Sequence, residues 1–145
     1  MRLTVRIVVF ALLAAIVAAP LLARVSSPAA LGIYAALSWV CHQRPDRSWH
    51  LAGFPLAVCV RCLGIYAGAL AGSILGLRFS RRLLLLSLAL LGADWLGEAA
   101  GWLGPRPMAR FAVGLMVGCV LVSALAGEHR AAGLRTLGMR REAQT

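Results

Sequence analysis

The stretch CVRCLGIYAGALAGSILG, residues 59–76, decides how the rest of the chain is read. Apart from Arg61 it carries no charge, and Gly64, Gly68, Gly72 and Gly76 recur every fourth residue, the spacing of one face of an α-helix. A face of glycines lets a second helix backbone approach closely, which is how helices pack inside a bilayer. At about 100° per residue, Cys59 and Cys62 share a face with Tyr66 that points roughly away from the glycines. One face is therefore built to pack, while the other presents two thiols.

The surrounding chain has the same character. Of its 145 residues 61% are hydrophobic and 14% charged, against about 45–50% apolar and about 25% charged in soluble domains. A bilayer core of about 30 Å takes about 20 apolar residues as a helix. Four stretches, near residues 5–23, 56–77, 83–103 and 110–127, approach that length. The expected fold is all-α: a polytopic four-helix transmembrane bundle, forming a single membrane domain over residues 1–145 with the lipid bilayer as its partner. Gly97 with Gly101, and Gly114 with Gly118, repeat the packing device on the third and fourth stretches. These stripes serve equally for contacts within the chain and for a homo-oligomer.

The formal charge of +10 comes from fifteen Arg and no Lys against five acids. On a soluble domain this would point to nucleic acid. Here the arginines punctuate apolar runs instead of forming a patch with aromatic stacking platforms, so they report topology and nucleic-acid binding is set aside. Nine arginines fall on the inner side (Arg2, Arg6, Arg78, Arg81, Arg82, Arg130, Arg135, Arg140, Arg141) and six on the outer (Arg24, Arg44, Arg47, Arg61, Arg106, Arg110). The tight turn from Arg78 to Arg82 has no acid to offset it, and the tail at 128–145, which also holds His129, is nearly as one-sided. Both termini are therefore expected in the cytoplasm, with residues 24–55 outside. The first apolar stretch is read as a retained anchor, because Leu21 and Pro20 spoil the signal-peptidase sites after Ala23 and Ala19.

In the outer segment, Ser27 followed by Pro28 reads as an N-cap with proline at the first helical position. The apolar run it opens, to Val40, is too short to span and is expected as an interfacial or re-entrant helix, with Tyr34 and Trp39 at headgroup level. It delivers Cys41 and His42 to the membrane surface, ahead of a polar, turn-forming stretch from Gln43 to Ser48.

Cys41, His42, Cys59 and Cys62 make a Cys₃His set, enough for Zn²⁺ or another thiophilic ion. Adjacent residues seldom ligate one ion, so His42 is either the fourth ligand or a supporting group, with His50 as a substitute. The helix dipole and Arg61 are expected to bias Cys59 and Cys62 toward thiolate, the form that binds metal or attacks a disulfide. A second chemistry is thiol–disulfide exchange by Cys59 and Cys62, with Cys41 as exchanging thiol and a quinone between helices. A third reading is a non-catalytic membrane subunit whose cysteines staple the outer loop or fill a helix interface, as is expected of the isolated Cys119. Haem attachment is excluded in its usual form by Leu63. Asp94 sits midway along the third stretch, where an acid costs at least about 2.5 kcal/mol. Glu98 lies one turn nearer the outer face, and Arg110 opens the fourth stretch, so Arg110 is expected to pair with Glu98 or Asp94. Asp94, Arg110, Arg61 and Tyr66 are the candidate reactive groups, with a structural ion pair as the alternative.

These residues resemble a bacterial and archaeal membrane family catalogued as domain of unknown function 2085. The resemblance runs through Cys41-His42-Gln43-Arg44-Pro45, Arg47-Ser48, Cys59-Val60-Arg61-Cys62-Leu63-Gly64-Ile65-Tyr66, Gly68, Asp94, Arg110 and Gly114, over roughly residues 35–120. Ala57, Leu63 and Glu98 stand where that family usually has proline, threonine and glutamine. The resemblance implies a shared site without an assigned activity. In layout alone, a Cys-x-x-Cys at the outer end of four helices is similar to the vitamin K epoxide reductase arrangement.

Overall fold

The computed structural model describes residues 2–76, 79–104 and 106–142, with side chains for 3–76, 79–104 and 106–125. Arg78 lies outside the described residues, as do the side chains of the basic stretch after residue 125. Five helices, α1 (Arg2–Arg24), α2 (Pro28–Ser38), α3 (Val60–Leu75), α4 (Arg81–Ala99) and α5 (Pro107–Glu142), hold most of the chain. A single 3₁₀ turn (Pro45–Arg47) and a small antiparallel hairpin, β1 (His50–Leu51) with β2 (Phe54–Pro55), lie between α2 and α3.

By length and composition α1 and the Pro107–Leu125 part of α5 suffice to cross a membrane. The 16 residues of α3 rise only about 24 Å, because the stretch expected to begin at residue 56 starts as irregular chain with a bend at Ala57 and Val58. Leu56, Ala57 and Val58 are buried there without being helical, and the Leu56 N–H donates to the Trp49 carbonyl at 2.7 Å. The next helix is interrupted by charge, with Arg81, Arg82, Asp94 and Glu98 all on α4. The backbone of α5 continues as helix to Glu142, where the sequence suggested a tail from residue 128.

Local rules account for the boundaries. Ser27 is the N-cap of α2 with Pro28 behind it, and Ser80 caps α4 by accepting the Leu83 N–H at 3.3 Å. Gly76 closes α3 at a left-handed φ of 64°, the conformation glycine adopts at no steric cost. Arg6 then donates through Nε and Nη2 to the Ser73 carbonyl, at 3.2 and 2.7 Å. That places a cation on the negative end of the α3 dipole and runs α1 antiparallel to α3.

The helices pack as a row, α1 against α3, α3 against α5, and α5 against α4, with α2 and the hairpin on α1. The α3–α5 seam is the most extensive. Gly64, Gly68 and Gly72 face the backbone of Phe111, Leu115 and Cys119, while Gly114 and Gly118 face that of Arg61 and Ile65. A methyl group on Gly68 or Gly118 would run into a backbone carbonyl of the opposite helix, which cannot swing aside. This is the packing face read from the glycine spacing, and its partner is another helix of the same chain. Opposite it, Cys59, Cys62, Leu63 and Tyr66 pack on a core of Ile16, Ala19, Leu37, Cys41, Leu56, Ala57 and Val58.

Candidate functional site: a cysteine triad beside a buried ion network

Cys41 arrives from the end of α2, where the Leu37 carbonyl accepts both the Val40 and Cys41 N–H groups, at 3.2 and 3.0 Å. Cys59 is the N-cap of α3, extended at φ −68° and ψ 158°, and Cys62 sits in the first turn. The hairpin folds the chain back between them. Tyr34 secures that fold, its hydroxyl donating to the Pro55 carbonyl at 2.5 Å. Tyr34 is therefore a strut between α2 and the hairpin, while Trp39 stands 91% exposed. Trp49 stacks on Phe111 of α5 with ring centroids 5.2 Å apart, tying the hairpin to the seam.

The result is a triad. The sulfurs of Cys41, Cys59 and Cys62 all lie within 4.8 Å of one another, and all three residues are free cysteines. Cys41 is buried, with the other two partly so. The Cys59 backbone N–H donates to Cys41 Sγ at 3.2 Å. Hydrogen bonding from the side chains of Cys59 and then Cys62, joined by backbone N–H groups, holds the Cys41 thiol well below the usual thiol range, against the burial that raises it. Cys119 lies apart on α5 against Gly72, as an interface residue.

His42 does not join the triad: its side chain is exposed and outside the group of mutually close donors, and His50 is exposed on β1. Arg61, expected to stand near the thiols, turns its guanidinium across the helix into the protein. It pairs there with Asp94 at 2.5 Å and with Glu98 at 3.3 Å. The expected partner of Arg110 is resolved in favour of Glu98, and Asp94 belongs to Arg61.

Sequence reasoning missed Arg47, whose Nη1 lies 3.6 Å from Glu98 Oε2. Nothing in the spacing of that polar turn pointed to α4, because only the unforeseen hairpin brings it there. Three arginines from the outer loop, α3 and α5 thus converge on two carboxylates of α4, with Asp46 also 3.8 Å from Arg47 on the outer side. Asp94 and Arg110 are buried, and Arg61 Nε and Glu98 Oε2 are buried without a hydrogen-bond partner. Salt links to Arg61 and Arg47 hold that oxygen instead. Arg61 occupies the turn that carries both Cys59 and Cys62, so the network fixes the turn that fixes the thiols.

Comparison with known proteins adds a family and two relatives. Residues 41–124 match the family described as "Predicted membrane protein (DUF2085)". The matched span opens at Cys41 and contains the triad and all five charged residues of the network. An uncharacterised protein of Methanocaldococcus jannaschii is 51% identical over 43 residues, 30% of this chain and 28% of its own length. An uncharacterised protein of Methanothermobacter thermautotrophicus is 30% identical over 87 residues, 55% of this chain and 78% of its own. No solved structure matches the chain.

Proposed function

The chain belongs to the DUF2085 family of predicted membrane proteins, and from that membership we propose an integral membrane protein that binds a thiophilic metal ion, such as zinc, through Cys41, Cys59 and Cys62 on its extracytoplasmic face. The observation that carries this reading is the convergence of three thiols within 4.8 Å. They come from two segments of chain separated by a hairpin, at spacings compatible with a single ion bound at about 2.3 Å. The donor type selects soft or borderline cations. Asp94, Glu98, Arg47, Arg61 and Arg110 are positioning residues for the α3 turn, and Tyr66 walls the thiol face.

In the membrane arrangement we propose, α1, α3, α4 and α5 each span, both termini are cytoplasmic, and α2 with the hairpin lies at the outer surface. The excess of inner arginines and the exposed Trp39 and Trp102 support it. The burial of Ile16, Ala19 and Pro20 supports retention of α1. A cysteine introduced at Ala52, in the hairpin turn, is expected to react with an impermeant reagent in intact cells. Labelling only after permeabilisation would reverse the orientation.

A second reading, thiol–disulfide exchange, draws on the Cys41 sulfur, which accepts the Cys59 N–H, a bond that favours thiolate, beside two further thiols. Metal analysis of detergent-purified full-length protein, with thiol counting on the same sample, separates the two. The metal reading expects about one ion per chain and three thiols that alkylate only after a chelator is added. The exchange reading expects no stoichiometric metal, and a Cys59–Cys62 pair that shifts between two alkylation states with added dithiol or oxidant. Metal-free protein whose thiols stay reduced on the outer face would leave only a structural cluster.

A further inference from the structure

We infer that the triad holds its ion through three thiolates alone and keeps one coordination position for a small donor from outside the chain: water at rest, exchangeable for an exogenous thiol. This rests on the metal reading above and decides what kind of metal site it is.

The argument is about the fourth ligand. A structural thiolate site closes its tetrahedron with a fourth protein donor, whereas a site that does chemistry or passes its ion on keeps that position open. Among the described residues, Cys41, Cys59 and Cys62 are the whole group of mutually close donors. His42 has the right chemistry and follows Cys41 directly, yet the backbone carries it away. Gln43 takes a left-handed φ of 48°, and its Nε2 donates to the Tyr34 carbonyl at 2.7 Å, turning the chain back over the end of α2. A non-glycine residue is held in that conformation at a cost of order 1 kcal/mol or more, so the turn is imposed by its surroundings. His42 is left exposed.

The other candidates are engaged or distant from the group. His50 is exposed in the hairpin, and Asp94 and Glu98 are committed to Arg61, Arg47 and Arg110. With Cys41 buried and Cys59 and Cys62 retaining accessible surface, an incoming donor meets the ion on the Cys59 and Cys62 side. Three thiolates on a divalent ion sum to one negative charge. The site therefore suits a neutral donor at rest and a competing thiol during exchange.

Cobalt(II), whose thiolate charge-transfer and ligand-field bands report the number of sulfur donors, is the probe for the full-length protein in detergent. Wild type and His42→Ala are both expected to bind one equivalent with the same three-thiolate spectrum. The variant should show none of the about 10–100-fold affinity loss that follows removal of a ligand's supporting partner. Titration with 2-mercaptoethanol should then shift both spectra saturably toward four sulfurs while the cobalt stays bound, whereas imidazole should shift them without adding sulfur character. A His42→Ala variant that loses the bands, or binds at least about tenfold more weakly, would overturn the inference in favour of a closed Cys₃His site and leave the metal reading intact. A wild-type spectrum that no added donor moves would overturn it in favour of a fourth ligand elsewhere in the chain. Failure of wild type to bind cobalt or zinc would remove the metal reading itself, and this inference with it.

Discussion

Cys41→Ser, Cys59→Ser and Cys62→Ser are each expected to reduce bound metal from about one equivalent to none after desalting, while Cys119→Ser keeps the full complement. On the metal reading, each of the three removes one of the three donors that lie together among the described residues. The loss should exceed the about 10–100-fold affinity change typical of perturbing a group behind a ligand. Cys119 controls for the loss of a membrane thiol as such, because it packs on Gly72 at the seam, outside the triad. The measurement is metal per chain on protein that remains monodisperse in detergent. Retention of metal in any of the three variants would remove that residue from the ligand set. Under the exchange reading the pattern differs, since one of Cys59→Ser and Cys62→Ser should trap a mixed disulfide with a partner and the other should not.

The second large effect concerns stability. Asp94→Ala is expected to destabilise the protein by about 3–5 kcal/mol, because it leaves the Arg61 guanidinium buried with a weaker partner. The three arginines of the network are also left with Glu98 as their one shared α4 carboxylate. Arg61→Met should be costly for the mirror reason, stranding Asp94. The double variant should lose less than the sum, with a coupling of about 0.5–3 kcal/mol, since each single change pays for the orphan it creates. Strict additivity of Asp94 and Arg61 in detergent unfolding would mean that the two do not touch. Because Arg61 lies between the two α3 cysteines, Asp94→Ala should also weaken metal binding without removing a ligand.

The parts of this protein that were legible in its sequence are those governed by helical period. The fourfold glycine spacing identified the packing face of α3, and Gly114 with Gly118 marked another such face on α5 without saying which helix would meet it. The three-residue step from Cys59 to Cys62 placed both thiols with Tyr66 on the opposite face, and Ser27-Pro28 marked the start of α2. That Arg110 would meet an acid of α4 followed from their shared level in the helices, but which acid it meets, Glu98, did not. What stayed hidden depends on backbone that leaves the helical period. The hairpin has strands of two residues, too short to show alternation. Its turn places Ala52 at φ 54°, where Asn or Gly would have given the signal. Missing the hairpin displaced the start of α3 by four residues, from 56 to 60, and hid the reach of Arg47 to Glu98. The direction of Arg61 was available all along. At two steps of about 100° from Cys59 it points across the helix, away from the thiol face, but an arginine between two cysteines invites a chemical reading before a geometric one.

The contact between α1 and the rest of the chain has a consequence for how the protein is made. Ile16 and Ala19 are fully buried, yet they pack against Leu56, Ala57 and Val58, and Arg6 finds its acceptor 67 residues downstream at Ser73. At about 5–20 residues per second of synthesis, the first helix emerges seconds before any of the surface that will cover it. During that interval its apolar side is without the protein surface that will cover it. This helix is therefore the one whose native neighbours arrive late, and the wall it gives the thiol site closes only once the chain through Val58 has been made.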